Sequence, residues 1–260
     1  MTFRRTPASL GWYALLLLPL LAAPPHVSAQ QATCVHSPHG LPGWWSAAAV
    51  DLIDFADSTH CYDESSRNIS LPSPDGKTEL RLYGDSLRFI HRNPTGPALH
   101  IAHFATVGYP AEISWAPDSN AFYITESNGS IRGFHTTIYY GQASRLRELP
   151  NISPVVWSEF NDRHQCVEVG HDNNKYVVDA NIAGLRWMEN SSRVLVIAEI
   201  PVDSDCGRGY FAGYVIALPD RKILARYSPG ELVKRYPESI GRRLRADYDE
   251  LSPGERAAAP

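Results

Sequence analysis

Hydrophobic and polar positions alternate in short runs along most of this chain, and tight turns punctuate them. Ile113 to Thr125 reads I-S-W-A-P-D-S-N-A-F-Y-I-T, two β-forming runs around a Pro-Asp-Ser-Asn turn. Leu185 to Ala198, L-R-W-M-E-N-S-S-R-V-L-V-I-A, echoes it. Leu71 to Tyr83, L-P-S-P-D-G-K-T-E-L-R-L-Y, is a third copy, weaker in its first strand and stronger in its turn. In that turn Pro74 fixes φ, Asp75 bonds its own backbone and Gly76 accepts a positive φ. From Thr78 to Tyr83, Leu80 and Leu82 face one way, Glu79 and Arg81 the other. The pattern predicts an all-β fold of repeated hairpins.

Further strands are expected over Ser86 to His91, Leu99 to Phe104, His135 to Tyr140 and Arg145 to Leu149. A third unit is poor in signal: Val155 to Trp157 opens it as a strand, and Gln165 to Val169 and Lys175 to Asp179 follow around a turn at His171 to Asn174. Ser158 to His164 reads alternatively as a helical turn. The fourth unit is clear, with Leu185 to Trp187, Val194 to Ile200, Tyr210 to Leu218 and Lys222 to Tyr227 as strands. Trp115 and Trp187 lie about two periods of roughly 36 residues apart, a blade-like length. Trp44 to Ala56 reads as a helix capped by Ser46, with Val50, Leu52, Ile53 and Phe55 on its apolar side. Ser228-Pro229-Gly230-Glu231 is a capping box, opening a helix over Glu231 to Tyr236; another is expected over Glu238 to Arg245, then a disordered tail from Gly254.

Export enters through the first 29 residues. Arg4 and Arg5, an apolar run from Leu10 to Ala23 and Val27-Ser28-Ala29 form a signal peptide, with a signal anchor as the alternative. Without those two arginines the chain carries 22 basic and 28 acidic residues, which gives no electrostatic reason to bind nucleic acid or an anionic membrane. No stable membrane anchor is expected after cleavage. The four cysteines, Cys34, Cys61, Cys166 and Cys206, read as disulfides in an oxidising compartment. Three pairings exist; Cys34–Cys61 and Cys166–Cys206 are favoured because each closes a local loop, and free buried thiols are the alternative. Four N-x-S sequons, at Asn68, Asn128, Asn151 and Asn190, sit near predicted turns.

Ser73-Pro74-Asp75-Gly76-Lys77, and Trp115-Ala116-Pro117-Asp118-Ser119 followed by Phe122-Tyr123-Ile124, resemble the TolB-like and WD-type β-propeller repeat. Trp187 with Val194 to Ile197 is a degenerate copy. The likeness covers Asn68 to Tyr227. It implies that the Trp packs between blades and that Asp and Gly make the first hairpin turn. Such rings use about 4–8 blades. Here about four antiparallel blades are expected, as a small ring, an open arc or another sheet stack, with a β-sandwich as the alternative. The expected segments are 1–29 signal peptide, 30–67 helical lead-in, 68–227 repeats and 228–260 helical segment and tail.

Catalytic signatures are sparse. There is no G-x-S-x-G elbow, phosphate-binding glycine loop or C-x-x-C. Asp203-Ser204-Asp205 opens like a calcium loop but lacks the later glycine and Glu. His36 with His39, and His100 with His103, are three apart; on a strand that spacing puts the second pair on opposite faces. His164, Cys166 and His171 form a candidate metal trio, disfavoured because export points Cys166 to a disulfide. Asp162, His164 and Ser158 can be named as a triad, as can many other combinations. Trp44, Trp45, Tyr109, Tyr139 and Tyr140 serve either a binding rim or, the preferred reading, packing. The expectation is an exported, periplasmic or secreted protein without catalytic residues, metal or cofactor, binding or scaffolding a protein partner in the envelope or outside the cell. The alternative is an exported hydrolase with an unrecognised active site.

Overall fold

Tight turns set the strand pairing. In the computed structural model, which describes residues 44–51, 68–83, 86–91, 99–103, 111–127, 132–141, 146–170 and 172–258, Ser73 Oγ donates to Asp75 Oδ1 at 2.7 Å and Gly76 holds φ at 70°. That turn joins β2 (Asn68–Pro72) to β3 (Thr78–Tyr83); β4 (Ser86–His91) and β5 (Leu99–His103) complete an antiparallel sheet in the order β2-β3-β4-β5. The second sheet runs β1-β6-β7-β8-β9, built from β1 (Val50–Asp51), β6 (Glu112–Trp115), β7 (Ala121–Ser127), β8 (Phe134–Tyr140) and β9 (Arg147–Glu148). The last large sheet is a meander of β12 (Asn181–Met188), β13 (Arg193–Glu199), β14 (Phe211–Ala217) and β15 (Lys222–Tyr227).

The third unit departs from the strand expectation over Val155–Trp157. Asn151 Oδ1 accepts the Ser153 N–H at 2.8 Å and Pro154 occupies the first turn, so α1 (Ser153–Asn161) forms instead. What remains is a two-stranded hairpin of β10 (Val167–Val169) and β11 (Lys175–Val177). The fold is thus mostly β, with four antiparallel sheets and short helices.

Sheets pack through a repeated device. Trp115 Nε1 donates to the Leu71 carbonyl at 3.2 Å, and Trp187 Nε1 donates to the Ser114 carbonyl at 3.0 Å. In each case an indole from the end of one first strand reaches the first strand of the preceding large sheet. The turns are linked in the same way: Asp75 N donates to Ser119 Oγ at 2.9 Å, and Ser191 Oγ donates to Asp118 Oδ2 at 2.6 Å. The sheet starting at β12 therefore packs directly on the one containing β6 to β8, and α1 and the β10–β11 hairpin are an insertion rather than an intervening layer. Between these sheets Gly184 N donates to Thr125 Oγ1 and Thr136 Oγ1 donates to the Ile182 carbonyl, both at 3.0 Å. Thr136 thus spends its proton on Ile182, and the Thr125 hydroxyl 3.0 Å away is the donor of that pair. A Cβ on Gly184 would lie 2.7 Å from the Tyr123 ring, so only glycine allows this approach.

The helix expected over Trp44–Ala56 is not formed over its described part, 44–51. Glu112, fully buried, accepts the Trp45 N–H at 2.6 Å and the Ser46 N–H at 3.2 Å. Those amides are thereby committed to a carboxylate 67 residues away, while Ser46 bridges to Ile240 and β1 pairs with β6. Residues 52–56 lie outside the described set. The C-terminal expectations fare better. Ser228 and Glu231 form the capping box of α2 (Pro229–Arg235), which packs on β14 with Leu232 against Gly213. A short 3-10 turn over Pro237–Ser239 precedes α3 (Arg242–Glu250). The tail expected to be disordered forms α4 (Pro253–Ala257), because Ser252 and Glu255 make a second capping box.

Helix α3 docks through a buried acid pair. Glu199 and Asp247 are both buried; Asn181 Nδ2 donates to Glu199 at 3.0 Å, and Arg243 pairs with Asp247 at 3.0 Å. One guanidinium faces two carboxyl groups. Burial first, and the Asp247 charge second, push Glu199 well above the usual carboxylate range.

Two outcomes follow from these buried carboxyl groups. Glu112→Ala leaves two buried amides without an acceptor and should cost about 2–4 kcal/mol in chemical denaturation; an unchanged midpoint would contradict the role given to Glu112. Because the Glu199 pKa is raised on folding, its contribution is fully present below the unfolded value of about 4.5 and is lost as pH rises through the folded value. Denaturation at pH 5 and pH 8 should therefore show Glu199→Gln gaining stability relative to the parent at the higher pH. Equal shifts at both values would refute the raised Glu199 pKa.

Candidate binding hairpin

Hairpin β10–β11 is short, and its geometry follows from its turn. Gly170 N donates to the Asn174 carbonyl and Val178 N to the Cys166 carbonyl, both at 2.9 Å, with Asn173 at a φ of 62°. Alternation between these two bonds makes Glu168–Tyr176 the hydrogen-bonded pair. The main-chain groups of Val167, Val169, Lys175 and Val177 consequently point away from the partner strand. Their side chains share one face and those of Glu168 and Tyr176 the other.

Apolar side chains reach solvent on both faces of the hairpin, Val167 and Val169 beside Lys175 on one and Tyr176 on the other. Val167 is 43% exposed, Val169 60% and Tyr176 44%; of the large hydrophobic side chains exposed among the described residues, only Leu224 lies elsewhere. Scattered exposed apolar side chains are ordinary, and their concentration on one hairpin makes it the candidate contact surface.

The inner side is fastened. Cys166 and Cys206 form a disulfide with Cα atoms 5.6 Å apart, as the local-loop pairing predicts. Cys34 and Cys61 lie outside the described residues. Glu168 Oε2 accepts from Tyr176 Oη at 2.6 Å and from Arg132 Nη1 at 3.0 Å, and Oε1 accepts the Asp205 N–H at 3.0 Å. Arg132 also binds Asp203 Oδ2 at 2.8 Å and the Asp203 carbonyl at 3.1 Å. Hydrogen bonds from Tyr176, then from Ser204, and then from Arg132 and the Asp205 amide outweigh burial and hold the Glu168 carboxyl down at about 2. Four segments, the two hairpin strands, the chain before β8 and the 201–209 loop, thus converge on one carboxylate. The hairpin is a rigid projection.

Several sequence candidates sit nearby without forming the chemistry they suggested. His164 packs between Phe160 and Tyr210, at ring distances of 5.1 and 4.6 Å. Its trio partner Cys166 is disulfide-bonded, and His171 lies outside the described residues. Glu168 comes within 4.8 Å of both sulfurs, but a disulfide offers no thiolate to a metal. Asp162 and Ser158 are exposed at the end of α1. Asp203 pairs with the Arg132 guanidinium, and the Asp205 amide is spent on Glu168. His100 and His103 belong to β5; His36 and His39 lie outside the described residues.

The aromatic candidates mostly pack. Trp45 is buried against Phe134 at 5.4 Å, Trp44 lies under Arg242 and Arg243, and Tyr139 stacks on Phe122 at 5.0 Å. Tyr140 lines a surface cleft with Asp118 and Arg147. Tyr109 lies outside the described residues. Sequence reasoning placed the hairpin strands but not their exposure, since Val167 and Val169 read like any core-facing residues.

The disulfide closes a span of 40 residues, so Cys166→Ser with Cys206→Ser should cost about 4 kcal/mol in the chain-entropy model, read by denaturant midpoint. Amide exchange at Val167 to Val177 should accelerate more than in the β12–β15 sheet. Uniform acceleration would show that the disulfide does not selectively fasten the hairpin.

Against known proteins, the chain matches no family model and no curated protein.

Proposed function

We propose that this is an exported binding or scaffolding protein that docks a protein partner through hairpin β10–β11. One observation carries the reading: a fastened hairpin presents Val167, Val169 and Tyr176 to solvent, while among the described residues Leu224 is the one other large apolar side chain so exposed. Outward main-chain groups along both hairpin edges favour an extended partner segment added as a further strand, with the valines supplying apolar contact. The disulfide Cys166–Cys206 and the leader-like first 29 residues support a periplasmic or secreted location. Among the described residues no helix is long and apolar enough to cross a membrane. In the same proposal the large sheets are successive propeller-type blades in an open arc of TolB-like or WD type. The repeated indole and turn contacts support that arrangement.

A second reading, a hydrolase, has one observation behind it. Burial, then the charge of Glu148, pushes the Glu126 carboxyl up to about 7, and His135 Nε2 lies 3.9 Å from it. A carboxyl titrating near neutrality suits general acid–base work. The binding reading is favoured because several exposed apolar side chains gather on one hairpin, whereas Glu126 and His135 are a single long contact at 3.9 Å.

Crosslinking capture from the native exported fraction tests the binding reading. The tagged protein should retain a stoichiometric protein partner, Val169→Asp should reduce capture about tenfold or more, and Leu224→Asp should leave it intact. Capture unchanged by Val169→Asp, or lost equally with Leu224→Asp, would overturn the assignment to the hairpin.

A further inference from the structure

A cleft of about 410 Å³ opens where the turn ends of the second and last large sheets meet, within the range of small-molecule sites. Its apolar wall comes from Tyr140, Leu149, Leu218 and Pro219, and its two formal charges of interest are Asp118 and Arg147. Asp118 is fixed from two sides: Ser191 Oγ donates to Oδ2 at 2.6 Å, and the Asn120 N–H donates to Oδ1 at 3.1 Å. Partial burial works against its charge, but the Ser191 and Asn120 hydrogen bonds win and hold the carboxyl below the ordinary Asp range. Both donors are neutral, so the negative charge has no counter-ion among the described residues.

Arg147 projects from β9 on the other side of the cleft, exposed, and pairs with no carboxylate among the described residues. The two charges therefore line one cavity without reaching each other, since an ion pair would bring them within 4.0 Å. Glu189, also on the rim, is already paired with Arg193 at 2.6 Å. The turn that carries it is rigidly shaped, with Glu189 and Asn190 at φ of 47° and 57°, and this conformation turns Ser191 onto Asp118. What is left is one uncompensated anion and one uncompensated cation, held apart on separate elements beside an apolar wall.

We propose that this cleft binds a small zwitterion, an amino acid or short peptide with an apolar side chain. The ligand carboxylate meets the Arg147 guanidinium, its ammonium meets the Asp118 carboxylate, and its side chain lies on Tyr140, Leu149 and Leu218. Arg147 supplies a planar pair of donors suited to a carboxylate. Asp118, with one oxygen held by Ser191, keeps acceptor capacity for an ammonium. Neutral sugars compensate neither charge, and simple anions only one. The inference is independent of the hairpin, which lies on other residues.

Isothermal titration of the signal-free chain with L-leucine, L-phenylalanine and L-leucyl-L-leucine tests it. Saturable binding is expected for at least one of the three. N-acetyl-L-leucine lacks the cation and L-leucinamide lacks the anion; each should bind at least about tenfold more weakly than L-leucine or fail to bind. Arg147→Gln should weaken zwitterion binding by a similar factor with an unchanged melting temperature, because the side chain is exposed and unpaired. Asp118→Asn should abolish the preference for L-leucine over N-acetyl-L-leucine. No saturable binding of any zwitterion at millimolar concentration would overturn the proposal. So would equal binding of the blocked derivatives, or full affinity in Arg147→Gln. Val169→Asp should leave all of these titrations unchanged.

Discussion

Each indole at the end of a first strand reaches back to a main-chain carbonyl on the neighbouring sheet, and the whole stack takes its spacing from that contact. Trp115 does this to Leu71 and Trp187 to Ser114. Each bond contributes only about 0.5–1.5 kcal/mol net, but it fixes how far apart two sheets stand and which strands face. Around Trp115, Phe89 and Phe122 fill the space between the first two sheets; around Trp187, Tyr123 does so between the next two. Gly184 is required where Tyr123 comes closest, so the backbone yields to the ring there rather than the reverse.

That spacing explains the insertion. Because the last large sheet already packs on the second, the residues between Leu149 and Ala180 have no slot between layers. They form α1, whose Val156 and Phe160 join the core, and a hairpin with no sheet to join. A two-stranded hairpin is marginal in water by itself. Here the Cys166–Cys206 disulfide and the Glu168 cluster hold it, with Val167, Val169 and Tyr176 left in solvent. The N-terminal strap is organised by the same economy: Glu112 draws the Trp45 and Ser46 amides onto the second sheet, and the Ser46 hydroxyl donates to the Leu185 carbonyl at 2.5 Å. One segment thus touches the second and the last large sheets and the C-terminal helices.

Local chemistry was legible in the sequence, and distant compensation was not. Ser73-Pro74-Asp75-Gly76 announces its turn because the bonds that close it, from Ser73 Oγ, span at most five residues. The β12 to β15 strands and the Ser228–Glu231 capping box are of the same kind. Val155 to Trp157 looked like a strand because β-branched and aromatic residues dominate it; Asn151, whose side chain accepts the Ser153 N–H, and Pro154 in the first turn were the signals for a helix. Trp44 to Asp51 has helical periodicity, yet a buried carboxylate far along the chain takes its amides. The exposure of Val167 and Val169 depends on which sheet is missing beside them, and no local pattern encodes that. The cleft likewise joins Asp118, Arg147 and Ser191 only after three separate hairpins have been stacked.

Direct packing of the last large sheet on the second is the point from which the insertion, the hairpin and the cleft all follow. Nuclear Overhauser contacts and exchange of the Trp187 indole Nε1 proton in isotope-labelled protein test it most directly. The structure requires contacts from that proton to the main chain at Ser114 and Trp115, and exchange as slow as global unfolding. A rapidly exchanging indole whose contacts run instead to residues 155–180 would place another layer between the two sheets and contradict the arrangement.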